Sequence, residues 1–398
     1  MANSRKHNNN SSVRQLSEIA NTFPPTEVCS ETSSDVFISK EVLNPHILFV
    51  EPFYTGSHKE LIDLLHDWSP KSRLITLSGK KWPWRARCSA LILSSHIPQI
   101  TTEKTIFCSS VLSLAELLGL RPDLQKLKKI VYFHENQFVY PIRQIKDRDV
   151  QYAYNQITTC LAADELVFNS EFNLRSLLDN LNKVVKLLPD YRPKDMQLKI
   201  QPKCKVLYFP VWYPLLPDDQ SENLEYLTIV WPHRWEFDKA PEVFINILTK
   251  LKQKNLNFRV HILGGNFADV PDVLNDVKES LKENILTFGF VESKDEYYDI
   301  LINSDVVVST AIHEFFGVAM LEAMCYGCFP IVPNKLVYPE IYPPQCLYND
   351  EAAAVKMLTD YCKNPSKARI DRHALDCGFD FGRFAYGTLR PRYRQLLK

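Results

Sequence analysis

Two cations stand five residues apart in a segment that could hold a phosphate group. Arg234 and Lys239 follow the apolar run at 227–231 and precede an amphipathic run that begins at Pro241. This pattern predicts a strand, a loop and a helix, with both cations on the loop at the carboxyl end of the strand. Fixed cations at that place stabilise the negative charge that develops on a departing diphosphate, without a metal. Two solvated loop cations are the alternative for these residues taken alone.

Two carboxylates stand eight residues apart after a later predicted strand. Glu314 falls in the predicted loop, and Glu322 falls more than one turn into a helix that begins near Gly317. Glu314 could accept hydrogen bonds from a sugar, and Glu322 could accept two hydroxyl groups of a ribose. An ordinary helix glutamate is the alternative, but the neighbours of Glu322 are nearly all apolar, and a carboxylate in such surroundings needs a partner. The free backbone N–H groups that could bind phosphate or sugar oxygens belong to Phe316, Gly317 and Val318.

A histidine ends the predicted strand 128–134, where a ligand of a parallel sheet would lie. His134 is therefore a candidate catalytic residue, and a purely structural histidine is the alternative. His134 and Glu135 do not form the HExxH motif, which argues against a zinc hydrolase. Asp147 and Asp149 match a DxD metal motif formally, but capping of a helix N-terminus explains them better. We expect no metal site.

Cations and indole rings alternate in the segment KKWPWRAR at 80–87. Cations attract phosphates, and indole rings offer stacking faces for unpaired bases. Indoles buried at a sheet edge, with their neighbouring cations in solvent, are the alternative, and composition favours neither. The candidate nucleic-acid contacts are Lys81, Trp82, Trp84, Arg85 and Arg87.

The elements that must position these residues alternate between strand and helix along most of the chain. Such alternation implies parallel sheets covered on both faces. A stretch with three prolines and several polar residues, from Pro210 to Glu222, marks a break between two such series. We therefore predict an α/β protein with two doubly wound Rossmann-like domains, and a ligand-binding cleft between them. The predicted organisation is a disordered leader at 1–44, an acceptor-side domain at 45–212, a linker at 213–224, a donor-binding domain at 225–383 and a C-terminal helix at 384–398 that packs back toward the first domain.

Hydrophobic periodicity gives the individual elements. In the first domain, the predicted strands are 46–53, 104–108, 128–134, 165–169 and 204–209, and the predicted helices are 57–68, 111–120, 150–163 and 171–180. In the second domain, the predicted strands are 227–231, 258–263, 286–290, 305–309 and 329–332, and the predicted helices are 241–254, 271–283, 294–303 and 317–325.

Bulk properties exclude several classes of protein. The 398 residues carry 47 Lys+Arg and 47 Asp+Glu, so the net charge is zero. This argues against a protein that coats a polyanion along its length, but it is compatible with a local basic groove. No apolar run reaches membrane-spanning length, and the first residues lack the apolar core of a signal peptide. The ten cysteines therefore indicate reduced thiols in the cytosol or nucleus. Cys325 and Cys328 form one CxxC, which we interpret as buried small residues and not as a metal or redox site.

The Arg234/Lys239 pair followed by Glu-x7-Glu with Phe-Gly inside resembles the family 4 glycosyltransferases of the GT-B fold. The resemblance implies that Arg234 and Lys239 contact the donor pyrophosphate, that Glu314 contacts the transferred sugar and that Glu322 contacts the donor ribose. His134 would support the transferred sugar. The family retains anomeric configuration, usually without a metal or cofactor. Family members usually carry a glycine-rich turn after the first strand. Here the corresponding turn, Thr55-Gly56-Ser57, has a single glycine.

Four further segments, from about residue 46 onward, resemble the family of tRNA-queuosine mannosyltransferases. They are EPFYTGSHK at 51–59, KWPWRARCSA at 81–90, FHENQ at 133–137 and WPHRWE at 231–236. This resemblance implies GDP-mannose as the donor substrate. It implies a hydroxyl on the cyclopentene of queuosine, at the wobble position of cytosolic tRNA(Asp), as the acceptor. An unpaired anticodon base can be splayed into a binding site, which is consistent with this acceptor.

Two other functions compete with this interpretation. A family 4 enzyme acting on a glycan or lipid would carry an amphipathic helix for membrane docking, and no segment predicts one. A non-catalytic GT-B protein that binds tRNA would keep the fold without the donor chemistry, and the intact set of Arg234, Lys239, Glu314 and Glu322 argues against that.

Overall fold

The computed structural model describes residues 35–39, 42–100, 102–140, 150–214, 225–265, 278 and 280–398. The described residues form two compact units. One unit lies within Phe23–Pro210 and is completed by Gly387–Lys398, and the other comprises Val211–Tyr386. Each unit is built on one predominantly parallel sheet, so the prediction of two Rossmann-like α/β domains is confirmed.

The first sheet has seven strands in the order β1-β3-β2-β4-β5-β6-β7. All neighbouring strands pair in parallel except β1, which pairs antiparallel with β3. Leu48, Phe49 and Val50 of β2 have no solvent exposure, as expected of a parallel strand with helices on both faces. The strands are β1 Val36–Ile38, β2 Ile47–Tyr54, β3 Ser72–Ser78, β4 Thr105–Ser109, β5 Lys128–Phe133, β6 Glu165–Phe168 and β7 Cys204–Val206.

Six helices accompany this sheet in the described parts of residues 42–210. They are α1 Gly56–Asp67, α2 Trp82–His96, α3 Leu114–Leu120, α4 Val150–Ala162, α5 Glu171–Val185 and α6 Met196–Ile200. Two short 3₁₀ helices, Pro122–Lys126 and Gln201–Lys203, lead into β5 and β7.

Strand β1 lies inside the segment 1–44 that the sequence predicts to be a disordered leader. Its three residues pair with β3 through Val36 and Leu77, Phe37 and Thr76, and Ile38 and Ile75. The prediction is therefore wrong for Val36–Ile38, because three apolar residues suffice to extend the sheet beyond β3. The rest of the predicted leader lies largely outside the described residues.

The second sheet has six parallel strands in the order β10-β9-β8-β11-β12-β13. This is the order of a doubly wound dinucleotide-binding sheet. The strands are added toward one edge from β8 to β10 and toward the other edge from β11 onward, so the strand order reverses between β8 and β11. The strands are β8 Leu227–Pro232, β9 Phe258–Leu263, β10 Ile285–Gly289, β11 Val306–Val308, β12 Phe329–Pro333 and β13 Leu347–Tyr348. The helices are α7 Pro241–Gln253, α8 Lys294–Ile302, α9 Val318–Cys325, α10 Tyr338–Ile341, α11 Glu351–Lys363 and α12 Pro365–Asp376, with 3₁₀ helices Phe237–Lys239, Pro344–Cys346 and Phe381–Phe384.

The last helix, α13 Tyr386–Leu396, leads the chain back to the first unit. Tyr393 is fully buried, and its hydroxyl lies 3.3 Å from the Tyr132 hydroxyl and donates to the Tyr208 carbonyl at 3.0 Å. Lys128 Nζ donates to the Leu396 carbonyl at 2.9 Å. These contacts attach the end of the chain to the first sheet.

Several predicted features fall partly or wholly outside the described residues. They include Asp147 and Asp149, most of the linker 213–224 and most of the helix 271–283. Cys325 and Cys328 are described, and both are free, buried thiols. No helix in the described part of the chain is long and apolar enough to cross a membrane.

Candidate active site

The two loops that carry the predicted donor residues meet at the point where the second sheet reverses direction. One loop follows β8 and contains Arg234 and Lys239, and the other follows β11 and contains Glu314. Because β8 and β11 are neighbours in the sheet, their carboxyl ends lie side by side. This is where doubly wound sheets bind ligands.

Backbone hydrogen bonds join these loops. The Asp238 carbonyl accepts from the Ile312 and His313 N–H groups at 2.9 and 3.2 Å. The buried Thr310 hydroxyl donates to the Lys239 carbonyl at 2.8 Å and accepts from the Trp231 indole at 3.2 Å. The loops are therefore fixed to each other and to the sheet before any ligand arrives.

The Lys239 ammonium is buried among oxygen atoms. Its Nζ lies 3.0 Å from Glu314 Oε2, 3.1 Å from Asp238 Oδ2 and 3.2 Å from the His313 carbonyl. Burial by itself would lower the pKa of Lys239, but Glu314 and Asp238 outweigh that effect and raise the pKa above its ordinary value. Lys239 is therefore a fixed cation.

The Glu314 carboxylate is correspondingly held in its ionised form. Burial alone would raise its pKa, but the charge and hydrogen bond of Lys239 lower the pKa to about 2. Glu314 Oε1 accepts from the Phe315 and Phe316 N–H groups at 3.0 and 3.4 Å. One carboxylate oxygen is thus held by the backbone and the other by Lys239.

Gly317 shapes the turn into α9. Its φ of +80° is in the left-handed region, and it precedes the first residue of the helix, Val318. A Cβ at this position would meet Glu314 Cγ at 3.4 Å and Tyr338 Cε1 at 3.5 Å. Phe316 and Gly317 are buried, and Val318 is half-buried. The turn therefore packs directly against the Glu314 side chain.

Glu322 lies one turn along α9 and is half-buried beside buried Leu321, Ala323 and Met324. Burial raises the pKa of Tyr326, and the negative charge of Glu322 raises it further. This carboxylate is on the helix whose N-cap is Gly317, as the sequence predicts.

Arg234 differs from Lys239 in its exposure. Its side chain is 49% exposed, and the guanidinium pairs with Glu236 Oε2 at 3.3 Å. Lys239 is held inside the protein, whereas the Arg234 guanidinium is accessible to an anion from solvent.

The structure adds His233 to this site, which the sequence analysis missed. Its Nε2 is buried and has no hydrogen-bond partner among the described residues. Burial, together with the positive charge of Lys239, lowers the pKa of His233 to about 3, so the ring is neutral. His233 stands in the segment WPHRWE beside Arg234, and that position was its only signal in the sequence.

A second cluster of ionisable residues lies at the reversal point of the first sheet. Glu51 belongs to β2, His58 to α1, and His134 and Glu135 follow β5. The buried Glu51 carboxylate accepts from the Phe53 N–H and the Ser109 hydroxyl, each at 2.9 Å. Strands β2, β4 and β5 are successive neighbours, so the sheet itself brings these groups together.

His58 lies between two carboxylates. Its Nδ1 is 3.3 Å from Glu51 Oε1, and its Nε2 is 3.2 Å from Glu135 Oε2. Burial would lower the pKa of His58, but the two carboxylates raise it to about 10. His58 is therefore an imidazolium, and the sequence analysis did not single it out.

His134 stacks on His58, with ring centroids 4.0 Å apart and an interplanar angle of 28°. Its side chain is buried, and burial together with the charge of His58 holds its pKa well below the ordinary value. The Glu51, His58 and His134 ligand atoms lie within 4.8 Å of one another, a spacing that could hold a metal ion. In the described geometry, however, both His58 nitrogens already face carboxylates.

Gly56, the predicted donor-binding glycine, begins α1 with a φ of +50°. The helix that it starts carries His58. The sequence analysis missed Gly79, where a Cβ would lie 2.3 Å from Thr55 Cβ. A glycine at position 79 is therefore required for close packing against the turn that precedes α1.

The basic-aromatic segment forms the start of α2, which the sequence analysis did not predict. Trp82 packs on the Tyr152 ring at 5.1 Å, and the Arg87 guanidinium lies 4.3 Å from the centroid of the same ring. Arg85 donates to the Ser78 carbonyl at 3.0 Å. Lys81 is exposed, and Trp84 is 64% exposed. Three of the five predicted contacts thus pack on the protein, and the other two extend into solvent.

Comparison with known proteins assigns the chain to a family. The family model described as tRNA-queuosine alpha-mannosyltransferase N-terminal matches residues 46–211, and that described as Glycosyl transferases group 1 matches residues 215–345. A tRNA-queuosine alpha-mannosyltransferase from Drosophila melanogaster is 46% identical over 360 residues, which cover 88% of this chain and 95% of that protein. The prediction of a hexosyltransferase is confirmed.

Comparison with solved structures identifies the fold. A glycosyltransferase from Rickettsia africae superposes with a TM-score of 0.60 at 19% identity, covering 89% of this chain and 98% of that one. HepE from Anabaena, solved with UDP, superposes with a TM-score of 0.61 at 11% identity, covering 88% and 99% of the two chains. At these identities the likeness concerns the fold, and the predicted GT-B fold is confirmed. The fold and the 46% identical relative together show that this chain belongs to the tRNA-queuosine alpha-mannosyltransferase family of GT-B glycosyltransferases.

Proposed function

We propose that this protein transfers a mannosyl group from GDP-mannose to queuosine in tRNA(Asp), with retention of anomeric configuration and without a metal. The observation that carries the proposal is the buried Lys239–Glu314 pair, 3.0 Å apart at the reversal point of the second sheet, in a chain with a 46% identical mannosyltransferase relative. The proposal places the protein in family 4 of the glycosyltransferases and in the cytosol or nucleus.

Arg234 and Lys239 suit a diphosphate leaving group in complementary ways. The half-exposed Arg234 guanidinium can meet a phosphate from solvent and form two parallel hydrogen bonds with it. Lys239 is already ordered by Glu314 and Asp238 and does not need to reorganise when charge develops. Preorganised cations stabilise a transition state most effectively, which supports metal-independent departure of GDP.

Glu314 and Glu322 suit the hydroxyl groups of the donor. Because Glu314 stays ionised, it is an acceptor only, and a sugar hydroxyl can donate to it. Glu322, one turn further along α9, can accept from two ribose hydroxyls. The turn adds the backbone N–H groups of Gly317 and Val318 at a helix N-terminus, where they attract anionic oxygens. The Phe316 N–H, which the sequence predicts to be free, already donates to Glu314 Oε1.

The first unit supplies the acceptor side in this proposal. A neutral His134 can exchange a hydrogen bond with the transferred sugar without adding charge. Trp84 and Lys81 are exposed at the start of α2, where an indole can stack on an unpaired base and an ammonium can meet a phosphate. Trp82, Arg85 and Arg87 would act mainly by holding that surface in place.

The test incubates the purified full-length protein with GDP-mannose and with tRNA that carries or lacks queuosine, followed by mass analysis of the nucleosides. We expect addition of one hexose to queuosine and none to the unmodified tRNA. No addition to queuosine would overturn the proposal. Addition from UDP-glucose in place of GDP-mannose would overturn only the donor assignment, and equal addition to other queuosine tRNAs would overturn only tRNA(Asp).

A further inference from the structure

An exposed basic surface lies on the first unit, away from the candidate active site. This 183–199 surface runs from the last turn of α5 through the following loop to α6. Its five cations are all exposed, and none forms an ion pair with another described residue. They are Lys183, Lys186, Arg192, Lys194 and Lys199. The same stretch contains two carboxylates, Asp190 and Asp195, so positive charge is in excess.

A neighbouring lysine shows how a cation with a structural role is held in this unit. Lys203 donates to the Leu161 and Ala163 carbonyls at 2.8 and 2.7 Å, and thereby satisfies the end of α4. On the 183–199 surface, Arg192 Nε donates to the Leu188 carbonyl at 3.3 Å. The terminal nitrogens of Arg192 have no hydrogen bond with the described part of the chain, so they are available to an anion.

The loop of this surface also exposes an aromatic ring. Tyr191 is 80% exposed and stands between Pro189 and Pro193. Proline fixes its own φ angle, so the loop has less conformational freedom to lose when a partner binds. A tyrosine among arginine and lysine residues is typical of contacts with a nucleic-acid backbone, because its hydroxyl group can donate to a phosphate oxygen.

The position of the 183–199 surface follows from the direction of α5. This helix starts directly after the carboxyl end of β6 and has 15 residues, which makes it about 22 Å long. After the loop and α6, the chain enters β7 at Cys204. The surface therefore lies at the edge where the parallel strands start, whereas His134 follows the carboxyl end of β5 at the opposite edge.

We propose that the 183–199 surface binds the sugar-phosphate backbone of the tRNA stem next to the anticodon loop. The inference rests on the proposed function, in which the wobble base enters the site at the other edge of the sheet. A separation of about 20 Å is too large for contact with the same nucleoside, but a helical arm of the same tRNA can span it. Cations bind RNA helices through phosphates and shape, without reading a sequence.

An anionic membrane is another partner with negative charge, and Leu187 and Leu198 are exposed on the same surface. A helix that docks on a membrane needs a long apolar face beside its cations. Helix α6 has only five residues, and the apolar face of α5 is buried in the unit through Leu177 and Leu181. These observations favour RNA.

The test measures binding of unmodified tRNA(Asp) to the full-length protein by fluorescence anisotropy at a series of salt concentrations. One triple variant neutralises the loop cations by Lys186→Gln, Arg192→Gln and Lys194→Gln. The matched control removes three exposed cations of the second unit by Lys254→Gln, Lys282→Gln and Lys363→Gln. Both variants lose the same charge, so a difference between them reports on position.

We expect the loop variant to bind tRNA at least about tenfold more weakly at physiological salt, and the control to bind like the wild type. The slope of log K against log salt concentration should become shallower by about 2 to 3, because each phosphate contact contributes nearly one unit. In mannosyl transfer, the loss should appear in the KM for tRNA and not in the KM for GDP-mannose, since the predicted donor residues belong to the second unit.

Hydroxyl-radical footprinting locates the contact on the RNA. The wild type should protect the backbone of the anticodon stem as well as the loop, and the loop variant should lose the protection of the stem alone. If the loop variant fails to fold, Lys194→Gln replaces it, and the salt slope should then fall by nearly one unit.

Equal affinities and salt slopes for the loop variant and the control would overturn the inference, and so would an unprotected stem in the wild type. Binding to phosphatidylserine vesicles that the loop variant loses, with its tRNA affinity intact, would assign the surface to a membrane instead. The binding assay requires neither queuosine nor a donor. A failure of mannosyl transfer and a failure of this inference are therefore distinguishable.

Discussion

Lys239 Nζ lies 3.0 Å from Glu314 Oε2, although 75 residues separate them in the sequence. The pair joins the loop after β8 to the loop after β11, and both side chains are largely removed from solvent. Removing one partner of a buried pair leaves an uncompensated charge, which costs about 3–5 kcal/mol. The pair therefore contributes both to the stability of the second unit and to the chemistry proposed for it.

Substitution of Lys239 should reduce both stability and activity. We expect Lys239→Met to lose about 3 kcal/mol of unfolding free energy, because Glu314 is left buried without a cation, and to lower kcat/KM at least about 100-fold. Urea denaturation and initial-rate kinetics measure the two effects. The control is Lys250→Met, which removes an exposed pair with Glu351 and should cost less than about 1 kcal/mol. Wild-type kinetics in Lys239→Met would contradict the role of Lys239.

Substitution of Arg234 should separate activity from stability. Because its guanidinium is half exposed, Arg234→Ala should leave the melting temperature within about 2 °C of the wild type. The KM for the sugar nucleotide should rise at least about tenfold, since a charge-assisted contact with a phosphate is lost. The exposed Lys254→Ala, in the same unit, should change neither quantity. An unchanged donor KM in Arg234→Ala would remove Arg234 from the donor site.

The left-handed turn at Gly317 should not tolerate a side chain. We expect Gly317→Ala to cost about 1–2 kcal/mol, the penalty for an L-residue at this φ of +80°. It should also lower kcat, because relief of that strain shifts the turn whose backbone holds Glu314. The matched control is Gly119→Ala in α3, where a Cβ meets nothing within 4 Å and helix propensity favours alanine. Equal unfolding free energies for the two variants would show that the turn at Gly317 carries no strain.

The protein should become less stable at acidic pH because Glu314 becomes protonated. Its pKa is lower in the folded protein than the ordinary value of 4.5, so its contribution is complete above about pH 4.5 and is lost as the pH falls toward 2. We expect a loss on the order of 2–3 kcal/mol across that window. Urea denaturation at a series of pH values should give a shallower acid slope for Glu314→Gln than for the wild type. Glu296→Gln, an exposed glutamate of the same unit, should leave the wild-type slope intact.

The two tryptophans of α2 should behave differently. Trp84→Ala should weaken binding of queuosine tRNA by roughly 5- to 150-fold, the range for loss of one stacked base, without changing the melting temperature. Trp82→Ala should lower the melting temperature, because the ring packs on Tyr152. Fluorescence anisotropy measures the tRNA affinity of the two variants, and thermal unfolding measures their melting temperatures. Unchanged tRNA affinity in Trp84→Ala would remove Trp84 from the acceptor surface.

Local patterns were enough to predict most of the strands. Strand 227–231 was predicted from an apolar run, and the structure extends it only to Leu227–Pro232. The sequence also correctly placed Arg234 and Lys239 after β8, Glu314 after β11 and Glu322 on a helix, all on one domain. These predictions succeeded because parallel strands buried on both faces have a strong local signature.

Helix α2 was missed because its first residues, WPWRAR, resemble a nucleic-acid-binding loop more than a helix. Proline is tolerated in the first turn, and Pro83 occupies that position. Helix α11 was also missed, although Asp350 caps it by accepting from the Ala353 N–H at 2.8 Å. In both of these helices local start signals were present and were given too little weight. Helices α6, α10 and α12 were missed as well.

The network of Glu51, His58 and His134 could not be predicted from spacing. Its members come from β2, α1 and the loop after β5, and only the strand order brings them together. Charge arrangements that depend on long-range contacts leave no periodic trace in a sequence.

The return of the last helix has a consequence for how the chain matures. Gly387–Lys398 belongs to the first unit, whose sheet is built from residues that emerge from the ribosome much earlier. Tyr132 and Trp68 therefore lack their contacts with Tyr393 and Arg394 until those two residues have been synthesised. The first unit is thus completed only after the second unit has been synthesised, and a protein cut at residue 210 would lack part of its own core.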